Sequence, residues 1–307
     1  MNPTFDDRAG GLDIYQTVTD RIVSMLEKGV GSFRCPWHHR EGERSAIAMP
    51  LNVTGRPYRG INVPLLWATA DHFGYRSNVW ATYKQWQEKG AQVRKGEKST
   101  MVVFWKKLTF TNKNDDDEEK TENRMMARGY PVFNADQVDG FDASKPIGKP
   151  ITELPESDRI ANAEAFFVMT GSVVRHGGNR AYYTQGDDHI QMPDFAQFRD
   201  VQGYYGTLGH EHVHWTGHKS RLEREFGKRF GDNAYAFEEL VAELGSAFLC
   251  AHLGLANEPR EDHASYLASW LRVLKNDKRA IFTAASKAQA AVDYLDGLQS
   301  VELAQVA

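Results

Sequence analysis

"GTLGHEHVHWTGHKSRLERE", residues 206–225, carries four histidines, and His210-Glu211-x-x-His214 within it is an H-E-x-x-H pattern. On a helix, positions i and i+4 share one face, one turn apart. His210 and His214 can therefore hold one ion, with Glu211 beside it. His212 is about 200° round the wheel from His210 and points away. The longer H-E-x-x-H-x-x-G-x-x-H template fails here. Gly217 falls at its glycine, but Ser220 stands at the last position and His218 is off register by two.

A catalytic zinc needs three protein ligands and an open position. The third is sought in "EELVAEL", residues 238–244, where Glu239 and Glu243 are again i and i+4. Acidic side chains on an otherwise apolar helix are costly to bury unless paired or metal-bound. Glu239 is read as the ligand and Glu243 as the carboxylate that orients a ligand histidine, with the reverse assignment left open. Glu238, one residue off, is expected to face solvent. The ion expected is Zn2+, with Mn2+ or another divalent metal as the alternative. Beside such an ion Glu211 is suited to act as a general base, taking the proton of an attacking water. Tyr204, Tyr205 and Tyr235 are candidates for stabilising an oxyanion. "DHIQMP", residues 188–193, reads as an edge strand on which a peptide docks.

The surroundings are those of a globular chain of 307 residues, 41% apolar and 25% charged. No run of about eighteen apolar residues is present, so no membrane partner is expected. The N-terminus lacks a signal pattern. Cys35 and Cys250 are far apart, which fits a reducing compartment and no disulfide framework. A cytoplasmic location is expected.

The net charge of −4 hides an asymmetry: residues 1–110 hold 16 Lys and Arg against 10 Asp and Glu, and the remainder holds 21 against 31. Five of the seven tryptophans also precede residue 110. Cationic surfaces with exposed rings suit single-stranded nucleic acid, where bases stack and phosphates need counter-charge. Two turn-like segments, "VTGRPYRGIN" and "GAQVRKGEKS", offer Arg56, Tyr58, Arg59, Arg94, Lys95 and Lys98. Trp37 and Tyr58, in polar loops, are the candidates for stacking. Trp67, Trp80 and Trp105 are expected in a core.

Periodicity predicts helices over 12–29, around 63–74, over 78–90 with Asn78 as cap, over 156–171, through the H-E-x-x-H segment, over 235–254 and through the C-terminus. "STMVVFWKKLTF" reads as a strand, although its apolar residues run rather than alternate, and "YPVFNADQV" reads as its antiparallel partner. "TNKNDDDEEKTEN" between them is expected as a structureless loop. Three domain segments are expected: a DNA-binding unit over 1–140, a Pro/Gly-rich linker over 141–157, and a metal-binding unit over 158–307.

A family resemblance covers nearly the whole chain in order. "YQTVTDRIVSMLEKG", "PLNVTGRPYRGIN", "WATYKQWQEKGAQVRKGEKST" and "PVFNADQV" resemble the N-terminal single-stranded-DNA-binding domain of the ArdC-type anti-restriction proteins, a domain that also opens some plasmid primases. "YYGTLGHEHVHWTGH", "YAFEELVAELGSAFL", "YLASWL" and "AASKAQAAVDYL" resemble the zincin-like metallopeptidase domain that follows it. His212 departs from the leucine usual there. The resemblance implies an α+β fold: a small DNA-binding domain, then a helix-rich zincin-like domain. It further implies a bacterial, plasmid-encoded protein that protects incoming DNA from restriction during conjugation, with single-stranded DNA as partner. It does not establish that peptides are cut. Three classes compete: a protective DNA-binding protein, a DNA-guided protease acting on a protein substrate, and a plain peptidase. Oligomeric state is left open.

Overall fold

The computed structural model describes residues 13–29, 48–113, 119–142, 156–227, 233–255 and 263–299. It begins with α1 (Ile14–Gly29), whose Tyr15, Val18, Ile22 and Leu26 form one buried stripe. Then come β1 (Leu51–Asn52), α2 (Asn62–Phe73), β2 (Val79–Ala81), α3 (Tyr83–Glu88) and β3 (Gln92–Val93). A long hairpin follows, β4 (Thr100–Lys113) and β5 (Glu119–Asn134), then the short β6 (Val138–Asp139). The four-stranded sheet has the order β1-β2-β5-β4, with β4 antiparallel to β5 from Thr100↔Val132 outward.

Two local expectations change. The segment 78–90 is strand then helix, because Thr82 caps α3: its hydroxyl accepts from the Gln85 amide while Gln85 Oε1 accepts from the Thr82 amide. Asn78 instead donates to the Met49 carbonyl. The charged loop is mostly ladder, since pairing continues to Lys113↔Glu119; residues 114–118 lie outside the described residues.

The second half is α4 (Glu156–Met169), strands β7 (Val173–His176), β8 (Tyr182–Thr184) and β9 (His189–Met192), and helices α5 (Val201–Thr216), α6 (Asn233–Leu253), α7 (His263–Asn276) and α8 (Ala280–Leu298). The C-terminal helical segment is thus two helices, broken at residues 277–279. The three-stranded sheet has the order β7-β9-β8. β9 is therefore central, parallel to β7 and antiparallel to β8. This corrects the edge-strand expectation for "DHIQMP": His189–Gln191 is already paired on both edges, and Met192 on its β7 edge.

α6 is apolar nearly all round and lies buried from Ala236 to Leu253 except at Phe237 and His252, as expected of a helix enclosed by others. α4, α5, α7 and α8 surround it. Alanines 284, 285, 288 and 291 of α8 are fully buried, and such small side chains let backbones approach. The expected linker falls largely outside the described residues, at 143–155. On either side of it one apolar cluster is continuous, running from Tyr15 and Trp67 to Phe248 and Phe282. α1 also donates from Thr19 to the Lys278 carbonyl at 2.7 Å and pairs Glu27 with Lys275. A second small core, around Trp86, Val79, Val93 and Val138, closes β2, α3, β3 and β6.

α5 and α6 touch at a glycine. A Cβ on Gly245 would stand 2.6 Å from Val213 Cγ2, so the helices meet at a distance only glycine permits. Gly245→Ala is expected to cost about 1–3 kcal/mol through overpacking. Denaturant unfolding checks this, and adding Val213→Ala should recover most of the loss.

Candidate metal centre and basic surface

Asp200 caps α5 by accepting from the Gly203 amide, which starts the helix that presents His210 and His214 inward. Both are buried, as is Glu239 opposite them on α6. Their ligand atoms converge. His210 Nε2 is 3.1 Å from His214 Nε2, 3.4 Å from Glu239 Oε2, and His214 Nε2 is 3.5 Å from Glu239 Oε1. Donors held tetrahedrally at about 2.0–2.2 Å from one ion lie roughly 3.3–3.6 Å apart. The triangle thus fits a single divalent cation.

Behind each imidazole stands a carboxylate. Glu243 Oε2 is 3.8 Å from His210 Nδ1. Glu238 Oε1 is 3.3 Å from His214 Nδ1, which donates to it and so leaves Nε2 facing the triangle. Glu238 is 3% exposed, which corrects the expectation that it faces solvent. Its α6 position, 100° from Glu239, flanks the same His214 ring from the other side. The Arg224 guanidinium neutralises it at 2.8 Å and also donates to Thr216 Oγ1 and the Val213 carbonyl. Burial alone would raise Glu238, but hydrogen bonds from His214 and Arg224 hold its pKa below the usual range. Burial alone would lower His214, yet Glu239 and Glu238 outweigh it and push its pKa up to about 10. Burial would likewise raise Glu239, but the same imidazoles hold it well below the usual carboxylate range.

Arg224 was not legible in the sequence. It sits in "SRLERE" among other charges, with no periodicity to mark it as buried.

Glu211 is buried beside His210 on α5. His212 lies on the opposite face. Its Nδ1 is 2.8 Å from the Leu208 carbonyl, which can only accept, so Nε2 accepts from Ser172 Oγ at 2.9 Å. Burial keeps it neutral, with a pKa lowered to about 4. His218 is half-buried and bonds Ser220. Of the three tyrosines, Tyr204 bonds His176 and Tyr205 donates to Glu164. Tyr235 alone reaches the triangle: its pKa is raised by burial, by Tyr266 and by the Glu239 carboxylate.

The basic candidates are dispersed. Trp37 lies outside the described residues. Tyr58 is 7% exposed, its hydroxyl 3.5 Å from the Trp80 carbonyl, and burial raises its pKa to about 12. It is part of the core, which corrects the expectation of an exposed stacking ring. Arg56 is exposed in the turn after β1. Arg59 pairs with Asp293 of α8, and Arg94 pairs with Glu97 at 2.9 Å and Asp139 at 3.5 Å. Lys95 and Lys98 are exposed in the turn after β3. Among the described residues no ion pair engages Arg56, Lys95 or Lys98. Trp67 and Trp80 are buried, while Trp105 is half-exposed against Tyr15 and Phe282.

Comparison with known proteins agrees with both halves. Residues 12–133 match the model of the N-terminal domain of anti-restriction factor ArdC, and residues 161–287 match that of a zincin-like metallopeptidase domain. The metal-free crystal structure of the antirestriction ArdC protein from plasmid R388 is 44% identical, with a TM-score of 0.75, covering 94% of this chain and 98% of that one. Its Mn(II)-bound structure is 43% identical with a TM-score of 0.74, covering 94% and 99%. Protein y4eC of Sinorhizobium fredii is 48% identical over 94% of this chain and 93% of its own length. Two DNA primases TraC of Escherichia coli are 35% and 34% identical over 92% of this chain, which spans only 27% and 20% of theirs.

Titration of the apoprotein with Mn(II) or Zn(II) by calorimetry is expected to show one site. His210→Ala or Glu239→Ala should abolish it, Glu238→Gln should weaken it about 10- to 100-fold, and His212→Leu and His218→Ala should leave it intact. Binding that survives Glu239→Ala but not Glu243→Ala would move the third donor to Glu243. Separately, Arg224→Leu should destabilise the fold by about 3–5 kcal/mol, because Glu238 is left buried without its counter-charge. Denaturant unfolding of Arg224→Leu with Glu238→Leu, in which both charges go, should recover most of it.

Proposed function

The chain belongs to the ArdC family of anti-restriction proteins, and on that premise we propose that it binds single-stranded DNA through its N-terminal half and protects that DNA from restriction nucleases. His210, His214 and Glu239 of its zincin-like half hold a divalent cation. The observation that carries the metal part is the buried triangle of donors, with carboxylates behind both imidazoles. The DNA part rests on the exposed cations Arg56, Lys95 and Lys98 and on kinship to DNA primases. Arg59 and Arg94 contribute by exchanging their carboxylate partners for phosphate. The resident cation is zinc or manganese, since two imidazoles and a carboxylate accept either.

A cation in this triangle supplies Lewis acidity. Glu211, buried next to His210, is the group positioned to hold a proton there. That burial favours a second reading, a DNA-dependent protease that cuts proteins assembled on single strands. Steric protection needs only affinity and coverage, so the first reading is preferred.

Transfer of a restriction-sensitive plasmid into a restricting host separates the two. Glu211→Ala, folded and expressed at the wild-type level, is expected to retain most protection. If it protects no better than an empty vector, hydrolysis is central and the protease reading replaces the first.

A further inference from the structure

The β4–β5 hairpin has two unlike faces. On one, Met101 and Trp105 pack toward α1: a Cβ on Gly129 would stand 2.7 Å from Met101 Sδ and 3.8 Å from Ile14, and the Trp105 ring is 5.9 Å from that of Tyr15. The register places Val102 opposite Tyr130, Phe104 opposite Arg128, and Lys106 opposite Met126 on the other face. Val102 is buried, but Phe104 is 49%, Met126 48% and Tyr130 37% exposed, and Lys106 and Arg128 are exposed as well. The apolar run Val102-Val103-Phe104-Trp105 fails to alternate because both faces are apolar, and the second face is covered at Val102 but open from Phe104 outward.

On the open face the residue types sort diagonally. Phe104 and Tyr130 form one diagonal, their rings 5.6 Å apart and steeply inclined. Lys106 and Arg128 form the other. Beneath lies the buried Tyr58, its ring 6.4 Å from Phe104, so the Phe104 ring rests on a fixed floor and Tyr130 leans against Phe104. The backbone edge of β4 is taken at Val103, whose amide and carbonyl both bond the side chain of Asn62 at 2.7 Å. What the ribbon presents is therefore its face. Over residues 102–106 and 126–130 that face carries no carboxylate, which enters the register only at Glu122, opposite Phe110; among the described residues no ion pair engages Lys106 or Arg128.

We infer that this face, through Phe104 and Tyr130 as stacking platforms and Lys106 and Arg128 as phosphate contacts, is the seat of single-stranded DNA. Two rings flanked by two cations, with no ion pair to either among the described residues and no carboxylate beside them over 102–106 and 126–130, match a polyanion whose bases carry exposed π-faces. The inference rests on the single-strand reading above and moves the stacking role from Tyr58 to the rings above it.

The test is fluorescence-anisotropy titration of a labelled oligo-dT with the full-length chain. Loss of stacking rings typically weakens single-strand binding at least several-fold per ring, so Phe104→Ala with Tyr130→Ala is expected to lose at least about tenfold. Phe104→Leu with Tyr130→Leu, which keeps apolar cover over Tyr58 but no π-face, should lose comparably. Lys106→Gln with Arg128→Gln should flatten the salt dependence by about two released counterions. Wild-type binding with both ring variants unchanged overturns this inference and leaves the single-strand reading standing. Retained affinity in the leucine variant alone overturns stacking. A wild-type dimer that the alanine variant converts to monomer without change in DNA affinity assigns the face to a second copy and overturns the inference. No oligo-dT binding by the wild type overturns both readings.

Discussion

The contact between α5 and α6 is the constraint on which the rest depends. Gly245 lets Val213 approach, and Ser246 Oγ donates to the Gly206 carbonyl at 2.8 Å one step along. Two backbones held that closely bring His210 and His214 on one helix to hydrogen-bond distances from Glu239 on the other. A larger residue at the crossing would separate the donors before any of them was changed. α6 can serve this role because other helices enclose it, so its polar face has nowhere to turn but the triangle.

That burial sets an electrostatic problem. Glu211, Glu238, Glu239 and Glu243 are all buried within two adjoining helices, and among the described residues the buried Arg224 guanidinium pairs with one of them, Glu238. Isolated carboxylates in an interior are strongly disfavoured. His214 answers part of the excess by taking up a proton, with a pKa of about 10. A divalent cation bound in the triangle would answer more of it, in place of that proton. The same logic explains why Glu238 belongs to the site: Arg224 balances it, and it aims His214.

Much of this was legible in the sequence, because helical periodicity and the H-E-x-x-H spacing are local. The helices α1, α2, α4, α5 and α6 follow from it, and the β4–β5 pairing from two apolar runs on either side of a charged segment. What was not legible depends on which elements meet. Glu238 looked exposed because the geometry of one helix cannot show that His214 and Arg224, from other segments, close over it. β9 looked like an edge because strand order is a tertiary property. Tyr58 stands in a polar loop, yet Phe104, 46 positions later, covers it. The open face of the hairpin was hidden by an apolar run that reads equally as a fully buried strand.

The central claim is that His210, His214 and Glu239 together hold one divalent cation. X-ray absorption of the full-length chain loaded with one equivalent of Zn(II) tests it most directly. The expected first shell has two imidazole nitrogens with oxygen donors at about 2.0–2.2 Å, and it loses one imidazole in either His210→Ala or His214→Ala. A first shell of oxygen alone, or one with a single imidazole in the wild type, would contradict it.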